Sequence, residues 1–164
     1  MLRDRLRQHQ DQIVRRWRDL TLATYPDETR RFWEREPDRF ANPIGYAVGA
    51  GLAAVFEELL GNADPEALRR GLSEIVRIRA VQEMDAGTAV GFVLLLKPAL
   101  AETLTPASLP AAELVELREF EGRIDRGLLL AFDLFMRDRE RVYEIRANEI
   151  SARSAKLVER LSKK

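Results

Sequence analysis

From about Ala111 the chain is helical in pattern nearly to its end, and no other segment limits the fold so strongly. The middle of this stretch, "GLLLAFDLFM", is apolar on almost all sides, which predicts a helix running through a core. Its finish, "RDRERVYEIRANEISARSAKLVERLSKK", turns polar but keeps a thin stripe. Tyr143, Ala147, Ile150, Ser154, Leu157 and Leu161 alternate by four and three residues, a weak heptad seam. We expect residues 1–149 to form one module and 150–164 to be a polar helical extension or a frayed tail.

The segments before it are helical as well. Leu2, Leu6, Ile13, Val14, Trp17 and Leu20 to Leu22 follow an amphipathic stripe. In "TYPDET", Pro26 pushes Tyr25 out of helical geometry and opens a short helix carrying Phe32 and Trp33. "EPDRFANP" is the next break. Asn42 before Pro43 and Asp64 before Pro65 have the N-cap and first-turn arrangement, starting helices that reach about Leu60 and Gln82. Asp85 caps another helix, from Ala86 to about Leu104, which Pro98 should kink or stop. Glycines and alanines in "IGYAVGAGLAAVFEELL" make that helix thin, suited to close packing. With no convincing strand, repeat or linker, the expected fold is all-α: a single-domain bundle of six or seven helices with a long last one.

Composition removes several classes of function. The 164 residues suit one domain with a sizeable core, and 27 basic residues balance 27 acidic ones. That balance gives no global attraction to nucleic acid or an anionic membrane. The chain lacks cysteine, which excludes disulfides, thiolate catalysis and cysteine metal sites. No secretory signal is visible, and the longest apolar run, Ala89 to Leu96, is far short of the roughly 20 residues of a membrane helix. A cytoplasmic protein without membrane insertion is expected. His9 is the sole histidine and lies in a polar stretch, so histidine-based triads and a histidine-ligated globin haem have no support. Glu-x-x-His metal pairs and a phosphate loop are missing too, and Glu57 and Glu58 read as solvated. We expect no enzyme, metal or cofactor.

Polar residues inside apolar helices remain. Leu68, Leu72, Ile75, Arg79 and Gln82 share a face by three- and four-residue spacing, whereas Arg77 falls on the outer side. A buried Arg79 must be paired. Asp125 and Asp133 on the long helix are the candidate partners, although Arg137 lies one turn from Asp133. Arg79, Gln82, Asp125 and Asp133 are thus expected as an internal ion-pair network, with a ligand site as the alternative.

"TYPDET…RRF", "DRFANPIG", "IVRIRAVQ" followed by "AVGFVLLLK", and "RIDRGLLLAFDLFMRDRERVYEIRANE" together resemble the RsbRD N-terminal domain family. These are sensory modules at the front of RsbR-type co-antagonists of the kinase RsbT. The match runs from about Ile13 to Glu149. It implies an all-α, globin-like module without haem, usually a homodimer, whose last helix leads to a STAS domain. That STAS domain binds the switch kinase and carries the phosphorylated hydroxyls. Here the chain ends about fifteen residues after "YEIRANE", too few for a STAS domain, so no residue inherits the phospho-acceptor role. Met1 and the Lys163-Lys164 finish suggest a free-standing module, and Pro98 interrupts a helix that the resemblance would have continuous.

The expected function is regulatory, through protein contact in stress signalling, with a STAS-domain protein or a switch kinase as the partner class. Tyr143, Ile150 and Leu157 are the candidate interaction surface. The alternatives are an adaptor for a metabolic complex, or a sensor holding an apolar ligand in a pocket lined by Gly49, Phe92, Leu95, Phe132 and Phe135. Those aromatic rings are large enough to fill the pocket themselves.

Overall fold

The computed structural model describes residues 1–35, 38, 40–82 and 84–163, without the side chains at 33 and 34. The Trp33 side chain and parts of the "EPDRFANP" break therefore lie outside what is described. Eight α-helical segments form among them: α1 (Leu2–Gln8), α2 (Gln10–Leu22), α3 (Asp27–Arg35), α4 (Pro43–Leu60), α5 (Pro65–Val81), α6 (Ala86–Gly91), α7 (Leu96–Leu104) and α8 (Ala111–Ser162). A single 3-10 turn, Pro106–Ser108, precedes α8, and no strand is present among the described residues.

The caps form where Asn and Asp precede the helices. The Asn42 side chain accepts from the Gly45 N–H at 2.9 Å and Asp64 from Ala67 at 2.8 Å. Asp85 accepts from Thr88 at 3.3 Å. Each satisfies one backbone donor that the first turn leaves free.

Two expected helices are each broken once. His9, at φ −103° and ψ 11°, separates α1 from α2. The second break divides α6 from α7 one turn upstream of Pro98. Proline has no N–H for the Leu94 carbonyl, and its ring crowds that group. The chain tightens there: Leu94 donates to Gly91, Leu95 to Phe92 and Lys97 to Leu94, all in the i→i+3 pattern. This also leaves the Phe92 carbonyl to accept the buried Trp17 indole N–H at 2.7 Å. The break thus ties α2 to the α6–α7 path.

α4 and α5 pack antiparallel to one another across two glycines. A Cβ at Gly51 would lie 2.9 Å from the Gly71 carbonyl, and one at Gly71 would lie 2.8 Å from Val55 Cγ2. α8 packs mainly on α5. Its inner face is Leu117, Phe120, Ile124, Gly127, Ala131, Leu134 and Phe135. The expectation that "GLLLAFDLFM", apolar on almost all sides, runs through the core is corrected here. Leu129, Phe132 and Met136 are exposed, because a helix laid on one layer buries only one stripe.

By length and composition, Pro43–Leu60 and Ala86–Leu104 could each cross a membrane, which the shorter run Ala89 to Leu96 did not reveal. In this fold both supply core residues, and the second is two helices.

The close α4–α5 approach is testable. Gly51→Ala should lower unfolding free energy by about 1–3 kcal/mol through overpacking, despite better helix propensity. Gly122→Ala, with nothing within 4 Å of the added methyl, should raise it by about 0.5–1 kcal/mol. Urea denaturation of the two variants measures the difference; equal stabilisation would refute the close approach.

Candidate functional site

Arg79 stands in the last turn of α5, above Leu68, Leu72 and Ile75 on the buried face, and is itself completely buried. Arg77 is exposed. The Arg79 Nη1 donates to the Thr88 carbonyl at 3.0 Å. Its Nη2 donates to Thr24 Oγ1 at 2.9 Å and to the Thr21 carbonyl at 3.4 Å. The guanidinium carbon lies 4.4 Å from the centre of the Tyr25 ring and 5.0 Å from that of Phe92. One side chain thereby joins the end of α2, the end of α5 and the start of α6.

The surroundings explain how the charge is held. No carboxylate among the described residues pairs with Arg79. Thr21 lies in the last turn of α2, where the helix dipole places partial negative charge. The two aromatic faces add cation–π attraction. Burial nevertheless pulls the guanidinium below its ordinary value, and the neighbouring Tyr25 opposes that shift. Burial pushes the Tyr25 phenol above 10.0, and Arg79 opposes it. The guanidinium Nε is buried without a hydrogen-bond partner.

The other residues expected in this network lie elsewhere. Gln82 is the exposed C-cap of α5; the helix ends at Val81, so its three-residue spacing from Arg79 no longer sets its direction. Asp125 is exposed and pairs with Lys97 at 2.7 Å. Asp133 is exposed on the outer side of α8, while Arg137 bonds Asp138. Both aspartates sit next to inward-facing residues, Ile124 and Leu134, and one residue of helix turns about 100° away from the core. The two terminal nitrogens of the guanidinium are satisfied by carbonyls and a hydroxyl, and its faces by rings, rather than by an ion pair.

The five residues expected to line a pocket differ in their exposure. Phe92 lies under Arg79, and Phe135 is buried on α8. Leu95 is half-buried and Phe132 exposed. Gly49 borders an open groove of about 790 Å³ between α2 and α4. A second groove, about 720 Å³, lies between α4 and α5 beside Tyr46 and Arg70.

Two further arginines were missed by sequence reasoning. Arg123 Nη1 donates to the carbonyls of Leu59 and Gly61 at 2.9 and 3.1 Å, closing the end of α4. Arg139 donates to the carbonyls of Ala80 and Met84 at 2.6 and 3.1 Å, closing the end of α5 beside Arg79. Its guanidinium also lies 5.6 Å from the centre of the Tyr143 ring. The available signal was indirect: α4 carries no basic residue in its last turn, so its carbonyls need a donor from another helix.

α8 continues unbroken to Ser162, about 40 Å beyond Phe135, its last buried residue. Tyr143, Ile150 and Leu157 are all exposed on this extension. The line also reaches back. Leu129, Met136, Tyr143, Ile150 and Leu157, seven residues apart, are 64%, 41%, 56%, 66% and 58% exposed. Large apolar side chains at five successive heptad positions therefore face water.

Among the described residues no group of three or more His, Cys, Asp or Glu could hold a metal ion. A family model described as RsbT co-antagonist protein rsbRD N-terminal domain matches residues 11–150. No curated protein and no solved structure matches the chain.

Arg79→Ala should lower unfolding free energy by about 3–5 kcal/mol, since it removes the donors and leaves a void. Arg79→Met keeps the stem but strips the donors from Thr88, Thr21 and Thr24, for a loss of about 1–3 kcal/mol. Arg77→Ala should stay within about 0.5 kcal/mol. Urea denaturation ranks the three, and an Arg79→Ala as mild as Arg77→Ala would refute the assigned role.

Tyr25 gives a pH test. As pH rises above 10.0 the unfolded phenol loses its proton while the folded one keeps it, so stability falls. Arg79, lowered from its ordinary value, works in the opposite direction at still higher pH. Tyr25→Phe should flatten the loss between about pH 9 and pH 11, measured by urea midpoints. An unchanged slope would exclude the phenol.

Proposed function

The chain belongs to the RsbT co-antagonist protein rsbRD N-terminal domain family, and on that premise we propose that it is a non-catalytic, cytoplasmic regulatory module acting through protein contact. The family is one of stress-signalling sensory modules. The observation that carries the finer reading is the exposed apolar line on α8, continuous from the body of the fold to its tail. Monomeric soluble proteins seldom leave such extended apolar surface open to water.

The mechanism follows from how α8 is tied down. Arg79 fixes the end of α2 to the end of α5 and the start of α6. Arg139, on α8, grips the carbonyls of Ala80 and Met84 at that same end. A signal or partner that shifts α5 or α6 therefore changes what Arg139 holds, and the rigid helix carries the change outward. The module works as a homodimer, and its partner is a STAS-domain protein or a switch kinase of the RsbT type. The apolar-ligand reading has less support, because Phe132 is exposed and Gly49 borders an open groove.

The test mixes the full chain with a STAS-domain protein, and separately with an RsbT-type kinase, and reads complex formation by light scattering. One of the two should form a complex with the unaltered chain. Leu157→Asp, at an exposed site, should weaken that complex at least about tenfold with little change in thermal stability. A complex untouched by Leu157→Asp, or no complex with either class, overturns the reading.

A further inference from the structure

Arg139, Arg146, Arg153 and Arg160 also recur every seven residues, each three positions after a member of the exposed line Met136, Tyr143, Ile150 and Leu157. On a helix this sets a column of guanidinium groups along one edge of an apolar seam. The other edge, one residue after the line, carries Arg137, Glu144, Ser151 and Val158. From this arrangement we propose that the α8 extension docks an amphipathic helix of a partner protein whose flanking positions are acidic. The proposal rests on the reading of α8 as an interaction surface and names the chemistry of its partner.

The same pattern argues against a second copy of this chain as the occupant. In a parallel pair each arginine meets the residue five positions on in its partner. Arg139 would meet Glu144, but Arg146 would meet Ser151 and Arg153 would meet Val158. Glu140, at the seam position between Met136 and Tyr143, would face its own copy. In an antiparallel pair the arginine column would face arginines. An acidic helix places carboxylates along the arginine column past Arg139 and leaves the apolar line to close on its own. There is also a physical reason for an occupant: most helical stability in proteins comes from packing an amphipathic face. The extension past Phe135 packs no residue into the core, so a covering helix would stabilise it.

The probes are two synthetic four-heptad peptides with leucine along the seam, one carrying glutamate and the other lysine at the flanking positions. Charge repulsion keeps each from pairing with itself. Binding to the full chain is read by fluorescence anisotropy at low salt and at about 0.5 M salt. The glutamate peptide should bind at least about tenfold more tightly than the lysine peptide, and the gap should shrink in salt. The triple variant R146E/R153E/R160E, changed only at exposed positions, should reverse the order. Circular dichroism confirms its fold, and R153E alone should show a smaller shift in the same direction.

Equal binding of both peptides, or preference for the lysine peptide, overturns the acidic partner while leaving α8 as an interaction surface. A dimer that Leu157→Asp dissociates also overturns it, because a second copy then covers the seam. Absence of binding by either peptide, together with a STAS or kinase complex indifferent to Leu157→Asp, removes both this proposal and the functional reading beneath it.

Discussion

A guanidinium with no access to water sits where three helix ends meet, and much of the fold follows from satisfying it. Arg79 brings together the last turn of α2, the last turn of α5 and the first turn of α6. It reaches the Thr21 carbonyl and Thr24 hydroxyl at the end of α2 and the Thr88 carbonyl in α6, while itself standing at the end of α5. A carboxylate could have balanced the charge, but a buried ion pair adds a second desolvation penalty. Carbonyls at a helix end supply negative potential without a second full charge to bury. The Tyr25 and Phe92 rings complete the shell, so the apolar core continues past the polar group rather than stopping at it.

The same solution recurs twice more. Arg123 closes the end of α4 and Arg139 closes the end of α5, both from α8. Arginine suits this task because its planar fork reaches two carbonyls at once and its stem packs on apolar neighbours. The long helix is therefore fastened by its buried stripe and by two polar clasps near helix ends. The clasp at Arg139 lies beside the Arg79 cluster, linked through the backbone between Ala80 and Met84. That adjacency makes the proposed outward coupling short.

What was legible in the sequence depended on whether a signal was local. Asn42, Asp64 and Asp85 marked their helix starts because a cap acts within three residues. Pro98 announced a disturbance, but its position depended on which carbonyl lost a donor, so the break fell at Phe92 to Leu95. The burial of Arg79 followed from periodicity along a single helix. Its partners did not, since they come from α2 and α6 and are mostly main-chain carbonyls, which carry no sequence signature. Asp125 and Asp133 were attractive as partners only while α8 was taken to be buried on every side. Once one stripe of α8 faces α5, both fall outside it. Arg123 and Arg139 were illegible for the same reason: a side chain that caps another helix has no local pattern.

The two faces of α8 share a seven-residue spacing but differ in extent, and that difference separates its two duties. The inner face, from Leu117 to Phe135, meets the curved surface of several short helices and ends where they end. The outer line, from Leu129 to Leu157, keeps strict seven-residue spacing across that boundary without change. A residue set that served only the module's own core would have no reason to continue once the core stops. A seven-residue apolar line suits a long partner helix, because the 3.5-residue repeat keeps it facing one neighbour over many turns. The arginines that accompany the line past Arg139 add a requirement on that neighbour's charge. Core stability and partner choice are in this way written into the same helix at different angles around its axis, joined where Arg139 belongs to both.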